Sequence, residues 1–340
     1  MDKNLAQSII KTLAYFDIFD QPLTKEELFR FLWKPPAIDY LGFLEELETI
    51  ELIDGDVKRD VKEMERKKSL VEQVEQLDGF YFLKGRQEIV ETRRQKTVYN
   101  DYKIDKAIRA VKKISFVPFL QGIFVCNSVG SENAWPDSDI DFFIITAPKR
   151  IWLVRFFTNF ILRLISWRSY GQKVKDKICL SFFIDSNHLN LYPCRSADED
   201  GHFAYWLNQM IPIYNQGGLY KNFLKQNSWT KSLLPHIDLG ILDGGAIVVN
   251  GRLGLIWKKV WEKMWQGWYG DLFEDQAKKF QLAKMKLSLI NKAKDDDNDV
   301  VISDTVLKFH ENDRRREYNV KWEERMNNHG NPELIPLELK

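Results

Sequence analysis

The chain has 340 residues, with 50 Lys+Arg against 49 Asp+Glu for a formal net charge of +1, and it is 44% hydrophobic and 29% charged. Those values exclude a disordered chain and a polyanion binder held by bulk charge, while leaving room for a local basic site. At roughly 150 residues per domain the length suggests about two domains, and the 13% aromatic content has to be placed in a core, a partner surface or a membrane interface.

In chain order, Leu5, Ile9, Leu13 and Phe16 share one helical face. After the turn Asp20-Gln21-Pro22, Thr24 and Glu27 form a capping box ahead of Leu28, Phe31 and Leu32, and Pro35-Pro36 stop that helix. Leu41, Leu44 and Leu47 predict a third helix. Residues 57–78 are a charge-dense insertion with a weak stripe of Met64, Leu70, Val71, Val74 and Leu77, predicted as a solvated helical arm. Gly79 to Leu83 is a short strand closed at Gly85, which completes the order of a winged helix-turn-helix over residues 1–85. The expected recognition helix, 38–50, carries Glu45, Glu46 and Glu48 and no Lys or Arg, so phosphate repulsion argues against duplex DNA and for a packing or partner-docking role.

Residues 86–114 are predicted as a connecting helix. An α/β segment follows, with strands at 119–129, 139–146 and 178–185 and a helix at 149–168. The longest apolar stretch, Ile151 to Trp167, is interrupted by Arg155 and Arg163 and fits a buried helix better than a membrane span. From 203 onward the pattern is mostly helical. Trp257, Trp261, Trp265 and Trp268 fall at helical spacing; core packing is the expected use, and a basic-aromatic surface with Lys258, Lys259 and Lys263 is the alternative. A polar helix is expected from about 304 to 327, with His310, Asp313 and Arg314 on a salt-bridged face, then a tail at 328–340. Gly240 to Gly245 lacks the Gly-Lys-Ser/Thr of a P-loop and is expected to form turns. The sparse set Cys126, Cys179 and Cys194 argues against a disulfide framework or a zinc site. With no signal peptide evident near the first residues, a reducing cytoplasm is expected.

One segment carries chemistry. Val129-Gly130-Ser131 is followed, after a gap of seven residues, by Asp139-Ile140-Asp141-Phe142-Phe143-Ile144-Ile145. Residues i and i+2 of a strand point the same way, so Asp139 and Asp141 project from one face and Ile140 and Phe142 from the other. Two carboxylates so close on a rigid strand suit divalent cations that bridge a phosphate. Gly130 lets the backbone approach a phosphate, and neighbouring N–H groups and the Ser131 hydroxyl can donate to it. The loop 132–138, with Trp135-Pro136, would shape the pocket, with Glu132 and Asp137 facing solvent.

This pattern resembles the polymerase-β-like nucleotidyltransferase superfamily, whose signature is a hydrophobic residue, Gly-Ser, a short gap and Asp-x-Asp on a strand. The resemblance covers roughly residues 115–190, and the whole layout is similar to minimal nucleotidyltransferase-domain proteins with an N-terminal winged helix. It implies an α+β chain: the winged helix, a small mixed-sheet nucleotidyltransferase core at 115–200, and a helical C-terminal region at 201–327. It also implies that Asp139 and Asp141 hold one or two Mg²⁺, that Gly130 and Ser131 cradle the phosphates of an NTP, with ATP the expected one, and that a nucleoside monophosphate passes to an acceptor as pyrophosphate leaves. RNA, protein and small molecules all remain open as acceptors.

Active family members add a third carboxylate on the next strand, and here the sequence departs from the pattern. On Ile178 to Asp185 one alternating face would carry Cys179, Ser181, Phe183 and Asp185, so the mid-strand place holds Ser or Cys. Asp185 lies about 13 Å beyond Ser181 at roughly 3.3 Å per residue. It either reaches the site from the strand end or begins the turn Asp185-Ser186-Asn187. Without a third acid the alternative is a catalytically weak or inactive nucleotide-binding protein with a regulatory or interaction role.

Overall fold

The computed structural model describes residues 3–51, 73–169, 174–197, 199–238, 248–285, 287–293, 300–309 and 314–329. It divides into two units: residues 1–95, 229–241 and 314–340 form the first, and 96–228 with 242–313 the second.

In the first unit, α1 (Lys3–Asp17) buries Leu5, Ile9, Leu13 and Phe16, as the periodicity predicts. β1 (Leu23–Thr24) leads directly into α2 (Lys25–Arg30). Both halves of the capping box form: Thr24 Oγ1 accepts from Glu27 N at 3.2 Å, and Glu27 Oε2 accepts from Thr24 N at 2.9 Å. α3 (Tyr40–Glu51) follows, then the hairpin of β2 (Val74–Leu77) and β3 (Phe80–Leu83), giving an antiparallel sheet of order β1-β3-β2. Val74 and Leu77, expected on a helical arm, are thus strand residues: Val74 faces the core once β3 pairs with it. The rest of the predicted arm through residue 72 lies outside the described residues.

α4 (Glu88–Ile114) gives its second half to the second unit, where Ala107, Ala110, Val111 and Ile114 are buried. The sheet there has six strands in the order β7-β4-β5-β6-β9-β8. These are β4 (Leu120–Cys126), β5 (Ile140–Thr146), β6 (Ile178–Asp185), β7 (Ile211–Asn215), β8 (Val300–Ile302) and β9 (Val306–Phe309). Among these strand pairs only β5 and β6 run parallel. Between β4 and β5 the chain makes a helical turn, α5 (Asn127–Gly130), and between β5 and β6 it forms α6 (Ile151–Leu164). One sheet face, with Ile140, Phe142, Ile144 and Phe183, packs on α4 and α6. The other places Phe143 and Phe182 against Trp206 of α7 (Gly201–Asn208), and Phe124 and Phe143 against Phe223 of α8 (Leu219–Gln226). Helices cover both faces, which is why β5 and β6 read as near-continuous apolar runs.

The molecule is therefore a mixed α+β protein, but the region predicted as helical from 203 onward also supplies β7, β8 and β9. Short apolar strands of three to five residues leave too little pattern to be told from helix ends. The last helix, α12 (Arg315–His329), starts later than predicted, because Val306–Phe309 pairs with β6 instead. Trp257 and Trp261 lie on α9 (Arg252–Met264), Trp265 caps its end and Trp268 lies on α10 (Gly267–Ala283), and Trp257 and Trp268 are largely exposed rather than core residues. α11 (Leu287–Lys292) precedes β8. Residues 239–247 and 310–313, which include the Gly240 to Gly245 turns, His310 and Asp313, lie outside the described residues. Among the described residues no helix is long and apolar enough to cross a membrane.

Candidate functional site

The candidate site sits where the C-terminal end of β4 meets the N-terminal ends of β5 and β6. Asp141 is paired across the sheet with Cys126 on one side and Cys179 on the other. Asp139, just before β5, completes a group in which ligand atoms of Asp139, Asp141 and Cys179 all lie within 4.8 Å of one another. The predicted pairing of the two aspartates is therefore present, and the third member of the group is a thiol.

Burial dominates the electrostatics. It raises the Asp141 carboxyl to about 7, and the neighbouring Asp139 adds to the rise; hydrogen bonds from Asn127, Cys179 and Ser181 oppose it. Asp139 is raised by burial too, offset by its own backbone N–H, by Cys179, and by the positive charges of Arg168 and Lys103. The Cys179 thiol is pushed well above its usual value, first by burial and then by the two carboxylates. Two desolvated acids that repel each other form a group that a divalent cation would relieve, and it is their carboxylate oxygens that suit a hard cation, the protonated Cys179 thiol beside them being a poor ligand.

The surrounding residues fix this geometry. The Asn127 side chain binds Asp141 and accepts from Trp206 Nε1 at 2.7 Å, so a half-buried indole orients the amide. Lys103, 1% exposed, donates from Nζ to Ser138 O at 2.7 Å, to Pro136 O at 3.3 Å and to Asp176 Oδ1 at 2.7 Å. It pins the loop that delivers Asp139. Lys96, also buried, lies over the Trp135 ring at 4.5 Å. Arg168 hydrogen-bonds Cys179 and places a guanidinium near Asp139, a cation suited to a phosphate oxygen. None of Lys103, Arg168 or Asn127 carries a signal in the sequence, because the partners of Lys103 alone lie 33 to 73 positions away.

Gly130 and Ser131 do not end the strand as predicted. β4 stops at Cys126, and the pair sits on and just after α5. A side chain at Gly130 would meet Val125 O at 2.8 Å and Gln209 O at 3.1 Å, so close backbone packing inside the protein already demands glycine. The Ser131 N–H donates to Asn127 O at 2.9 Å and its hydroxyl to Ser128 O at 3.3 Å. Glu132 and Asp137 are exposed as expected, Asp137 lying 3.4 Å from Lys175.

Asp185 is separated from the aspartate pair. The β5–β6 register runs Asp141↔Cys179, then Phe143↔Phe182, so β6 holds one extra residue at Leu180–Ser181. The bulge leaves both Cys179 and Ser181 facing Asp141, with Ser181 Oγ at 3.3 Å from Asp141 Oδ1. Beyond it every side chain is turned over: Phe182 joins Phe143, and Asp185 pairs with Thr146 on the opposite face. Five strand residues also place it about 16 Å along the sheet. Its carboxylate accepts from Asn187 N at 2.9 Å and lies 2.7 Å from His188 Nδ1, so Asp185 begins the turn. Comparison with protein-family models, with curated proteins and with solved structures finds no match.

Proposed function

We propose that this chain is a divalent-cation-dependent nucleotidyltransferase that moves a nucleoside monophosphate from an NTP to an acceptor. The observation that carries the reading is the Asp139–Asp141 pair, gathered with Cys179 at the end of a rigid strand and destabilised by burial and mutual repulsion in the absence of a cation. Asp139 and Asp141 would hold Mg²⁺, which neutralises triphosphate charge and polarises the α-phosphate when bound. The chain's own residues do the rest. Asn127 orients Asp141, Lys103 holds the loop before Asp139, and Arg168 offers a cation to a phosphate oxygen. The helix and strand order of the first unit supports reading it as a winged-helix module for docking a partner, since α3 carries glutamates rather than cations.

A second reading is favoured by one observation: the β6 residues facing Asp141 are Cys179 and Ser181, with Asp185 on the other face. With no third carboxylate in that group among the described residues to activate an acceptor, the site would bind Mg-NTP and regulate rather than transfer. Incubation with α-labelled NTPs, Mg²⁺ and candidate acceptors (RNA, protein, small molecules) separates the two. Transfer that is lost in Asp139→Asn/Asp141→Asn, with circular dichroism unchanged, supports the enzyme. Transfer that survives the double substitution overturns it, and tight Mg-NTP binding without turnover selects the regulatory reading.

A further inference from the structure

Helix α9 is amphipathic in the reverse sense. Its charged Lys258 and Glu262 point into the second unit: Lys258 Nζ donates to Leu120 O and to the Tyr214 hydroxyl, and Glu262 Oε1 accepts from Phe119 N at 2.8 Å. Its apolar residues Leu253, Ile256, Trp257, Val260 and Met264, at i, i+3, i+4, i+7 and i+11, form one stripe that faces solvent, with Leu253 84% exposed. α10 repeats the arrangement. Glu274 accepts from Trp152 N and Leu153 N at 2.8 and 2.9 Å, and Asp271 pairs with Arg150 at 2.7 Å, while Trp268, 77% exposed, Tyr269 and Leu272 face out. Gly270 permits the close turn between the helices, since a Cβ there would collide with Trp265 O.

The surface is continuous. Rings link Trp257 to Trp261 to Trp265, Trp265 to Phe273 on α10, and Phe273 to Tyr269; on the α6 side Trp265 stacks on Phe157. Such an extended apolar patch marks an interaction surface. Arg252, Lys259 and Lys263, at i, i+7 and i+11, run as an exposed basic line along one edge of the stripe. Of the acidic side chains, Glu262, Asp271 and Glu274 are engaged with inward partners, and Asp275 is neutralised by Lys279 on the same helix at 2.7 Å. Charge on this face is thus biased to the positive. Aliphatic tips protruding beside tryptophans add nothing to base stacking but suit an acyl boundary, and a second copy would set one basic edge against another.

We propose that the α9–α10 face docks flat on an anionic lipid surface. The two helices lie in the headgroup plane without spanning the bilayer, the aromatic and aliphatic stripe enters the acyl boundary, and the basic line meets lipid phosphates. The full-length protein is tested by co-sedimentation with vesicles of phosphatidylcholine alone and of phosphatidylcholine with phosphatidylserine. Binding is expected on the anionic vesicles and is reduced by added salt. Lys259→Gln/Lys263→Gln should weaken it on the order of 30-fold, from about fivefold per cation. Leu253→Ser/Trp268→Ser should abolish it, with an unchanged melting temperature because both side chains stand in solvent. Failure to bind anionic vesicles overturns the proposal. So does equal binding to both vesicle types, a Leu253-dependent dimer in sedimentation velocity without vesicle binding, or capture of single-stranded RNA in place of vesicles.

Discussion

Replacing Lys103 by Met tests how the loop before Asp139 is held. Met keeps most of the apolar stem and removes three charge-assisted donor contacts, at 2.7, 2.7 and 3.3 Å. Breaking a buried ion pair typically costs about 3–5 kcal/mol, chiefly because the partner is left charged and dry. Here the Asp176 side chain keeps 21% of its exposure and can recruit water, which places the expected loss near the lower end, about 3 kcal/mol. For a cooperative unit of this size, that corresponds to a fall in Tm of about 6–12 °C. Differential scanning calorimetry reads it directly. Lys103→Met/Asp176→Asn removes the stranded carboxylate and should recover part of the loss. It should not recover cation binding, because Ser138 O and Pro136 O remain unheld. Mn²⁺ titration should show about tenfold weaker binding in both variants, the usual effect of removing support behind a ligand. A Tm within about 2 °C of wild type would refute the energetic argument. An unchanged Mn²⁺ affinity would refute the positioning role.

Three further outcomes follow from the geometry. Cys179→Asp places a carboxylate beside Asp141 and should raise label transfer by about an order of magnitude or more if the chain is an enzyme; unchanged or weaker transfer would count against that reading. Burial lifts Glu274 from 4.5 to about 7, so the native state holds an extra proton across that window and stability is lost as pH rises through it. Glu274→Gln lacks this dependence, and its Tm relative to wild type should climb between those pH values; a pH-independent difference would contradict the assignment. Thr24→Ala removes the Oγ1 that accepts from Glu27 N in the capping box of the first unit, while the backbone Thr24 N–H keeps Glu27 Oε2, and should cost about 1 kcal/mol in denaturant unfolding, whereas Thr24→Ser should be close to neutral.

Much of the scaffold was legible because local chemistry specifies it. Thr24 and Glu27 cap a helix whatever lies elsewhere in the chain, and the four-residue spacing of Leu5, Ile9 and Leu13 needs only a core to face. β5 and β6 are continuous apolar runs, and the i, i+2 spacing alone places Asp139 and Asp141 together. What could not be read depends on partners far along the chain. The extra residue in β6 appears only when that strand is paired with β5, yet it turns Asp185 to the opposite face and leaves Cys179 and Ser181 before Asp141. Lys103 looks like any surface lysine until the fold brings Ser138 and Asp176 to it. The stripe of Leu253, Ile256, Trp257 and Val260 has the spacing of a core helix. Only the inward bonds of Lys258 and Glu262 decide that the stripe faces out, because the spacing of apolar residues along a helix fixes which of them lie together, and tertiary contacts fix which way they point.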